Sequence, residues 1–163
     1  MKQIAFLRGV NVGGKNKVNM KELSLALSDA GFSSVSTYIN SGNIIFDETE
    51  NADIKIESII AEKFCVNTKA IIRTSQELDE IINNCPYPED KAYITLLSGK
   101  AQPFEPIDGR GDGYTLSGDI VYLCINGYAH ESKLQNAVFE KRTGLNATTR
   151  NLRTIKELTI RSK

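Results

Sequence analysis

The first structural signal in the chain is the sequence Ile4-Ala5-Phe6-Leu7-Arg8-Gly9-Val10-Asn11-Val12-Gly13-Gly14-Lys15-Asn16-Lys17. Its first four residues form a short apolar run, which predicts a buried strand. The ten residues that follow hold three glycines, three cations and no acid. Such a loop, rich in backbone N–H groups and positive charge, is typical of a surface that faces an anion. Asn19, with Glu22 three positions later, forms a capping box and predicts a helix from about Met20.

The strands and helices predicted after this first helix complete the order of elements in the first half of the chain. Residues 34–40 alternate in polarity, and Ile44-Ile45-Phe46 returns after the tight-turn sequence Asn40-Ser41-Gly42-Asn43, which together predict a hairpin. An apolar stripe predicts a helix over residues 52–64, and residues 69–73 predict a further strand. The resulting order is β-α-β-β-α-β, that of the ferredoxin-like (α/β) plait.

The second half of the chain predicts an irregular repetition of this order. Thr74 and Glu77 cap a helix that stops at the prolines Pro86 and Pro88, since proline cannot continue a helix. This boundary divides the chain into domains of residues 1–85 and 86–163. The elements predicted beyond it are a strand at 92–97, a short helix within 100–106, a hairpin about Gly118-Asp119, a helix at 131–142, a strand at 145–150 and a last helix through Leu158. We therefore predict an α+β fold of two ferredoxin-like subdomains, each roughly βαββαβ, with an extra C-terminal helix.

Composition narrows the class of protein. The chain has 163 residues, of which 40% are hydrophobic and 25% charged, as in soluble globular proteins. It has three cysteines, without a CxxC pair, and one histidine, so no metal site, cofactor or disulfide framework is predicted. The three cysteines have apolar residues nearby in the sequence, and we expect them in the core and not as nucleophiles. No apolar segment is long enough for a membrane span or a signal peptide, so we expect a cytoplasmic protein with no membrane partner.

The charge is unevenly distributed although the formal net charge is zero. Residues 1–21 carry five lysines or arginines and no acid, and residues 141–163 carry seven against one acid. Residues 47–90 carry eleven acids against four bases. If the two ends of the chain meet in the fold, one face of the protein is basic.

The glycine-rich loop is similar to a phosphate-binding P-loop in part only. Gly9 and Gly14 have the P-loop glycine spacing, and Lys15 follows as that motif requires. Asn16 replaces the Ser or Thr that would hold magnesium, and no Walker-B aspartate is evident, which argues against nucleotide hydrolysis. The structural alternative, that the glycines only let the loop cross the sheet edge, leaves its three cations unexplained.

Two further segments are candidates for the same site. In the hairpin tip, Tyr38, Asn40, Ser41 and Asn43 would present polar groups to a ligand, although turns favour these residue types in any case. Near the last helix, Thr149 or Asn151 would serve as an N-cap, and Arg150 with Arg153 would place positive charge at a helix N-terminus. That charge opposes the helix dipole and indicates a bound anion or a buried acidic partner there.

These segments together resemble a bacterial family catalogued as domain of unknown function 1697. The residues that carry the resemblance are Phe6–Lys15 with Met20–Leu23, Tyr38–Asn43, and Thr148–Asn151. The resemblance implies an α+β architecture of two plait-like subdomains and implies no activity. The chain departs from the family pattern at Asn19, where members often have Pro, and at Leu152, where an aromatic residue is common.

The leading functional hypothesis is a binding module for a phosphate-bearing ligand, either a small molecule or nucleic acid. The predicted ligand-binding residues are Arg8, Gly9, Asn11, Gly13, Gly14, Lys15, Lys17, Tyr38, Asn40, Ser41, Asn43, Thr149, Arg150 and Asn151, and we expect the three segments to converge. The alternatives are an enzyme acting on a small anionic metabolite, for which no general base is evident, and a protein-interaction subunit. No catalytic residue is assigned, and the sequence decides neither the oligomeric state nor whether a reaction is catalysed.

Overall fold

The computed structural model describes residues 1–163, which form eight strands and five helices. In chain order these are β1 (Lys2–Leu7), α1 (Met20–Asp29), β2 (Ser36–Thr37), β3 (Asn43–Asp47), α2 (Ala52–Phe64), β4 (Ala70–Thr74), α3 (Ser75–Asn84), β5 (Ala92–Leu97), β6 (Gly113–Ser117), β7 (Ile120–Cys124), α4 (Asn136–Thr143), β8 (Ala147–Asn151) and α5 (Leu152–Arg161). The predicted α+β class is confirmed. None of the helices has the length and apolar character needed to cross a membrane.

The chain forms two compact units, one of residues 1–78 with 158–163 and one of residues 79–157. The first unit contains a four-stranded sheet in the order β2-β3-β1-β4, with every pair antiparallel. Helices α1 and α2 cover one face of this sheet, where their apolar stripes pack on the strands. The buried residues of this core include Ala5, Leu7, Ile44 and Phe46 from the sheet and Leu23, Leu27, Ile56 and Ile60 from the helices.

Local signals in the sequence set both ends of α1. The Asn19 side chain accepts a hydrogen bond from the Glu22 N–H at 3.0 Å, as the capping spacing predicts. At the other end, Gly31 has φ +98°, and the N–H of Phe32 donates to the Leu27 carbonyl. This is a Schellman ending, in which glycine takes the left-handed conformation that other residues avoid.

The second unit repeats the sheet of the first. Its strand order is β6-β7-β5-β8, again wholly antiparallel, and its pairings have the same offsets as those of the first sheet. For example, Ile4 pairs with Arg73 in the first sheet, and Ile94 pairs with Arg150 in the second. The repetition that the order of elements predicts is therefore present in the backbone, although the two halves show no repeated sequence.

The last strand of each sheet leads directly into a helix. Thr74 and Glu77 form the predicted capping box, with the Thr74 N–H donating to Glu77 Oε2 and the Glu77 N–H donating to Thr74 Oγ1. At the equivalent place in the second unit, Asn151 Oδ1 accepts from the Thr154 N–H at 2.8 Å. Asn151 is therefore the N-cap of α5.

The predicted helix within residues 100–106 is wrong. Residues 101–109 contain no helix or strand, so the second unit lacks the first helix of the βαββαβ order. Pro103 and Pro106 have no N–H to donate to a helical hydrogen bond, which is the physical reason. The helix predicted over 131–142 begins only at Asn136. The residues before it are held by Ser132, whose hydroxyl donates to Asp112 Oδ2 and accepts from the Leu134 N–H.

Two smaller expectations also differ from the structure. The hairpin is confirmed, but its first strand is only Ser36–Thr37, because Ile39 has φ +50° and leaves the extended conformation. The expectation that the cysteines lie in the core is wrong, since Cys65 is exposed and the other two are half-buried. Cys65 instead ends α2 in the left-handed conformation, at φ +54°.

Candidate functional site

The glycine-rich loop folds into a miniature hairpin. Gly13 and Gly14 have φ of +57° and +73°, the two positive angles that a type I′ turn requires. The Lys15 N–H donates to the Val12 carbonyl at 2.9 Å, and the Asn11 N–H donates to the Asn16 carbonyl at 3.1 Å. Because the turn's own hydrogen bond uses the Lys15 N–H, the N–H groups of Gly13 and Gly14 are not used inside it.

Asn11 ties this miniature hairpin to the rest of the first unit. Its Nδ2 donates to the Val18 carbonyl at 3.0 Å and to the Asn40 carbonyl at 2.8 Å, while its Oδ1 accepts from the Val18 N–H at 2.8 Å. A carboxamide has two N–H donors, and both are engaged here. Asn11 therefore joins the glycine-rich loop to the hairpin tip, and its donors are occupied by the protein itself.

The hairpin tip is fastened to the end of β1. The Leu7 N–H donates to the Gly42 carbonyl at 2.8 Å, and a Cβ placed on Gly42 would lie 2.6 Å from Val10 Cγ2 and 2.8 Å from Leu7 Cβ. Asn43 is fully buried, and its Nδ2 donates to the Tyr38 carbonyl at 2.9 Å and to Ser41 Oγ at 3.0 Å. Asn43 therefore shapes the turn from inside, while Asn40 remains exposed at its surface.

An arginine that sequence reasoning missed lies over the Tyr38 ring. The guanidinium carbon of Arg161 is 4.6 Å from the ring centroid, within cation–π distance. Arg161 is the last residue of α5 and belongs to the first unit. Its position over 120 residues away from Tyr38 in the chain leaves no local signal for the pairing.

The loop and the tip border an open depression of about 440 Å³. The residues that line it are Asn11, Gly14, Lys17, Val18, Asn19 and Asn40. Four of these are on the predicted site list, and the others, Val18 and Asn19, connect the loop to the start of α1. Lys15 and Lys17 are both exposed. Lys17 is the one ionisable side chain in the lining, so the depression is positively charged.

Arg8 and Gly9 contribute to this region through the backbone. The Arg8 N–H donates to the Lys69 carbonyl at 2.9 Å, and the Arg8 carbonyl accepts from Thr68 Oγ1 at 2.7 Å. The Gly9 carbonyl accepts from Asn16 Nδ2 at 3.1 Å. These contacts anchor the start of the loop at the end of β1.

The third predicted segment lies in β8, in the second unit. Thr149 Oγ1 is 2.8 Å from Thr95 Oγ1 and donates to Asn136 Oδ1. Arg150 is buried, and its Nη1 donates to Thr148 Oγ1 and to the Thr149 carbonyl at 2.8 and 2.9 Å. Burial lowers the pKa of Arg150 to about 10, so the side chain is still protonated at pH 7.

One basic residue of α5, Lys156, forms an ion pair with an acid of the second unit. Lys156 Nζ lies 2.9 Å from Glu89 Oε1, and Lys156, followed by Arg153, lowers the pKa of the Glu89 carboxyl. The predicted bound anion or buried acid beside Arg150 and Arg153 stays a prediction, because Glu89 is exposed and pairs with Lys156. Convergence of this third segment with the other two stays a prediction. No group of three or more His, Cys, Asp or Glu side chains is arranged to hold a metal ion.

Comparisons with known proteins place the chain in a family. A solved structure of the conserved bacterial protein SP0830 from Streptococcus pneumoniae is similar over 99% of this chain and 98% of its own, with a TM-score of 0.69 and 19% sequence identity. At this identity the similarity shows the fold alone. None of the curated proteins compared with the chain matches it. The family model described as a protein of unknown function, DUF1697, matches residues 1–122, and the chain therefore belongs to the DUF1697 family.

Proposed function

We propose that the protein is a cytoplasmic binding module for a phosphate-bearing ligand, which it holds in the depression between the glycine-rich loop and the hairpin tip. The observation that carries this proposal is the Asn11–Asn40 hydrogen bond of 2.8 Å. It holds together two segments that the sequence selects independently as binding segments. Their shared border is a concave surface with Lys17 in its lining.

The chemistry of the lining suits a phosphate group. Lys17 supplies positive charge, Gly14 supplies an N–H that its turn does not use, and Asn40 and Asn19 supply polar side chains. The depression also adjoins the N-terminus of α1, where backbone N–H groups and the helix dipole favour anions. Its volume of about 440 Å³ lies within the ordinary range for small-molecule sites.

The buried aromatic residues favour a short ligand over a long nucleic-acid strand. Sheets that read RNA stack its bases on exposed aromatic side chains of the central strands. Phe6 and Phe46, the aromatic residues of the two central strands of the first sheet, are both 0% exposed. A nucleic acid would therefore be held through a phosphate or an end, and not along the sheet.

Binding is favoured over catalysis on a small anionic metabolite. The lining contains no carboxylate, imidazole or thiol, the groups that most often transfer protons at pH 7. A protein-interaction role remains the third alternative, and it predicts a co-purifying partner without affinity for phosphate.

We further propose that the two sheets with their helices are ferredoxin-like subdomains, divided as residues 1–85 and 86–163. The strand order and the shared pairing offsets support this assignment. In this proposal Thr149, Arg150 and Asn151 act mainly in the structure of the second subdomain. Ligand contact then rests on Arg8 to Lys17 and on Tyr38 to Asn43.

The proposal is tested by titrating the ¹⁵N-labelled protein with AMP and with adenosine, and recording amide chemical shifts. We expect AMP to shift the amides of Gly13, Gly14, Lys17 and Asn40, and adenosine to leave them unchanged. Lys17→Ala should weaken AMP binding about tenfold, the low end for a hydrogen bond to a charged group. Lys63→Ala is the matched control, since Lys63 is an exposed lysine in the last turn of α2.

Titration with a short single-stranded RNA distinguishes a nucleic-acid ligand from a small phosphate-bearing molecule. If nucleic acid is bound through phosphates, its affinity should fall steeply with salt, and Lys17→Ala should reduce the slope by about 1. Equal shifts with adenosine and AMP, or shifts located outside the depression, would refute the proposed function.

A further inference from the structure

The segment of residues 100–107, here called the proline strap, has a regularity that no helix or sheet explains. The pattern of side-chain burial repeats every third residue. Ala101, Phe104 and Ile107 are partly buried, and the pairs of residues that separate them are exposed. A period of three is that of the polyproline II helix, whereas an α-helix repeats at 3.6 and a strand at 2. The prolines stand at positions 103 and 106, so they fall on one exposed edge and form a PxxP sequence.

The inner edge of the proline strap is fixed to the core of the second unit. The Phe104 ring stacks on Tyr114 at 6.1 Å and meets the Phe139 ring edge-on at 6.4 Å. The Ile107 N–H donates to the Tyr114 hydroxyl at 3.0 Å, and the Ala101 N–H donates to the Gly118 carbonyl at 3.0 Å. Rings and hydrogen bonds at both ends therefore hold the segment extended.

The exposed edges carry the groups that PxxP-reading proteins recognise. Such proteins contact a preformed polyproline II helix through an aromatic-lined groove, and they use two of its three edges. Here those edges are Pro103 with Pro106 and Gln102 with Glu105, all exposed. The third edge faces the protein itself, so docking would not require the proline strap to leave its place.

The charge around the proline strap favours an acidic rim on the partner. Lys141 and Arg142 lie in the last turn of α4, and with Pro103, Phe104 and Glu105 they line an open depression of about 540 Å³. Arg142 Nη1 donates to the Glu105 carbonyl at 2.8 Å, which keeps this positive charge beside the prolines. Lys100 adds a further exposed cation at the start of the strap, so three cations outnumber Glu105, the one acid in the strap and the depression.

We propose that the proline strap is a docking surface for a protein domain with an aromatic PxxP groove and an acidic rim, of the kind found in SH3 domains. The proline strap belongs to the second unit, whereas the proposed phosphate site belongs to the first. Because the fold already holds the strap extended, binding avoids much of the entropy loss that a free proline peptide suffers.

The test titrates an isolated SH3 domain with an acidic groove rim into the ¹⁵N-labelled full chain. We expect amide shifts confined to the proline strap and to the neighbouring turn of α4, with saturation at domain concentrations below about 1 mM. The double variant Pro103→Ala/Pro106→Ala should bind about tenfold more weakly or not at all. Pro88→Ala, which removes another exposed proline of the same unit, should bind as the wild type does.

A second comparison tests whether the fold holds the proline strap in its binding conformation before the partner binds. A free peptide of residues 100–107 should bind the same domain several-fold more weakly than the intact protein. Equal affinity of the peptide would overturn the claim of a preformed strap. Absence of binding to the wild-type chain at about 1 mM domain, or undiminished binding of the folded double-proline variant, would overturn the docking surface itself.

Discussion

Gly42 offers the sharpest test of how the hairpin tip is held against the glycine-rich loop. Its φ is +89°, and an added Cβ would lie 2.6 Å from Val10 Cγ2 and 2.8 Å from Leu7 Cβ. The left-handed conformation costs an alanine roughly 1–2 kcal/mol. Forcing a methyl group into a packed core costs roughly 1–3 kcal/mol more. We therefore expect Gly42→Ala to lower the free energy of unfolding by about 2–5 kcal/mol. This is a large part of the total free energy of unfolding of a native protein, which is usually about 5–15 kcal/mol.

The control for this variant separates backbone strain from steric contact. Gly14 also has positive φ, +73°, but a Cβ built on it meets nothing within 4 Å. Gly14→Ala should therefore cost only about 1–2 kcal/mol. Urea unfolding followed by circular dichroism gives both values from the transition midpoints. If the two variants lose the same stability, the close approach of Gly42 to Val10 and Leu7 is not a constraint, and the argument for a fixed border between loop and tip fails.

Three further predictions concern the loop, the helix caps and the response to pH. Asn11→Asp keeps the shape of the side chain but replaces its two N–H donors by an acceptor that faces two carbonyl oxygens. It should therefore lower the free energy of unfolding by about 2 kcal/mol and broaden the amide signals of the loop in NMR spectra. Unchanged spectra would contradict the bridging role of Asn11. Thr74→Ala and Asn151→Ala each remove an N-cap and should each cost about 1 kcal/mol in urea unfolding; a midpoint that does not move would show that the cap is dispensable. The pKa of Asp47 is lowered from 3.8, first by its hydrogen bond to Lys2, so the stability it contributes is present above pH 4 and is lost as the pH falls through the folded-state pKa. The difference in thermal unfolding between the wild type and Asp47→Asn should therefore be larger at pH 6 than at pH 2, and an equal difference at both values would refute this.

Elements with local signals were predictable from the sequence. The bounds of α2 and β5 agree with prediction because their apolar patterns begin and end at clear breaks. The caps at Asn19 and Thr74 involve residues three positions apart, so their hydrogen bonds are determined within one turn of helix.

The misassigned elements depend on contacts between distant residues. Pro103 and Pro106 already remove helical N–H donors from residues 100–106, and the position of this segment is set by Phe104, which packs against Tyr114 and Phe139. Residues 131–135 do not join α4, because the Ser132 hydroxyl donates a hydrogen bond to Asp112. Neither interaction has a counterpart within a single turn of chain, so no local pattern predicts it.

The candidate site divides in the same way. The sequence selected the glycine-rich loop and the hairpin tip, since glycine, asparagine and lysine in a strand–helix connection indicate an anion-binding loop. The sequence did not indicate that both N–H donors of the Asn11 side chain bond to backbone carbonyls, or that Asn43 is buried beneath the hairpin tip.

By itself, the sequence determined the family, the helix caps and the order of helices and strands apart from the segment 100–106. Each of these depends on residues that are close together in the chain or on a shared pattern. The tertiary structure alone decided that Asn11 meets Asn40, that Arg161 lies over Tyr38 and that Phe104 of the proline strap stacks on Tyr114. The physical reason is that these contacts join residues 10 to more than 100 positions apart, whose proximity arises only when the sheets bring their strands into register.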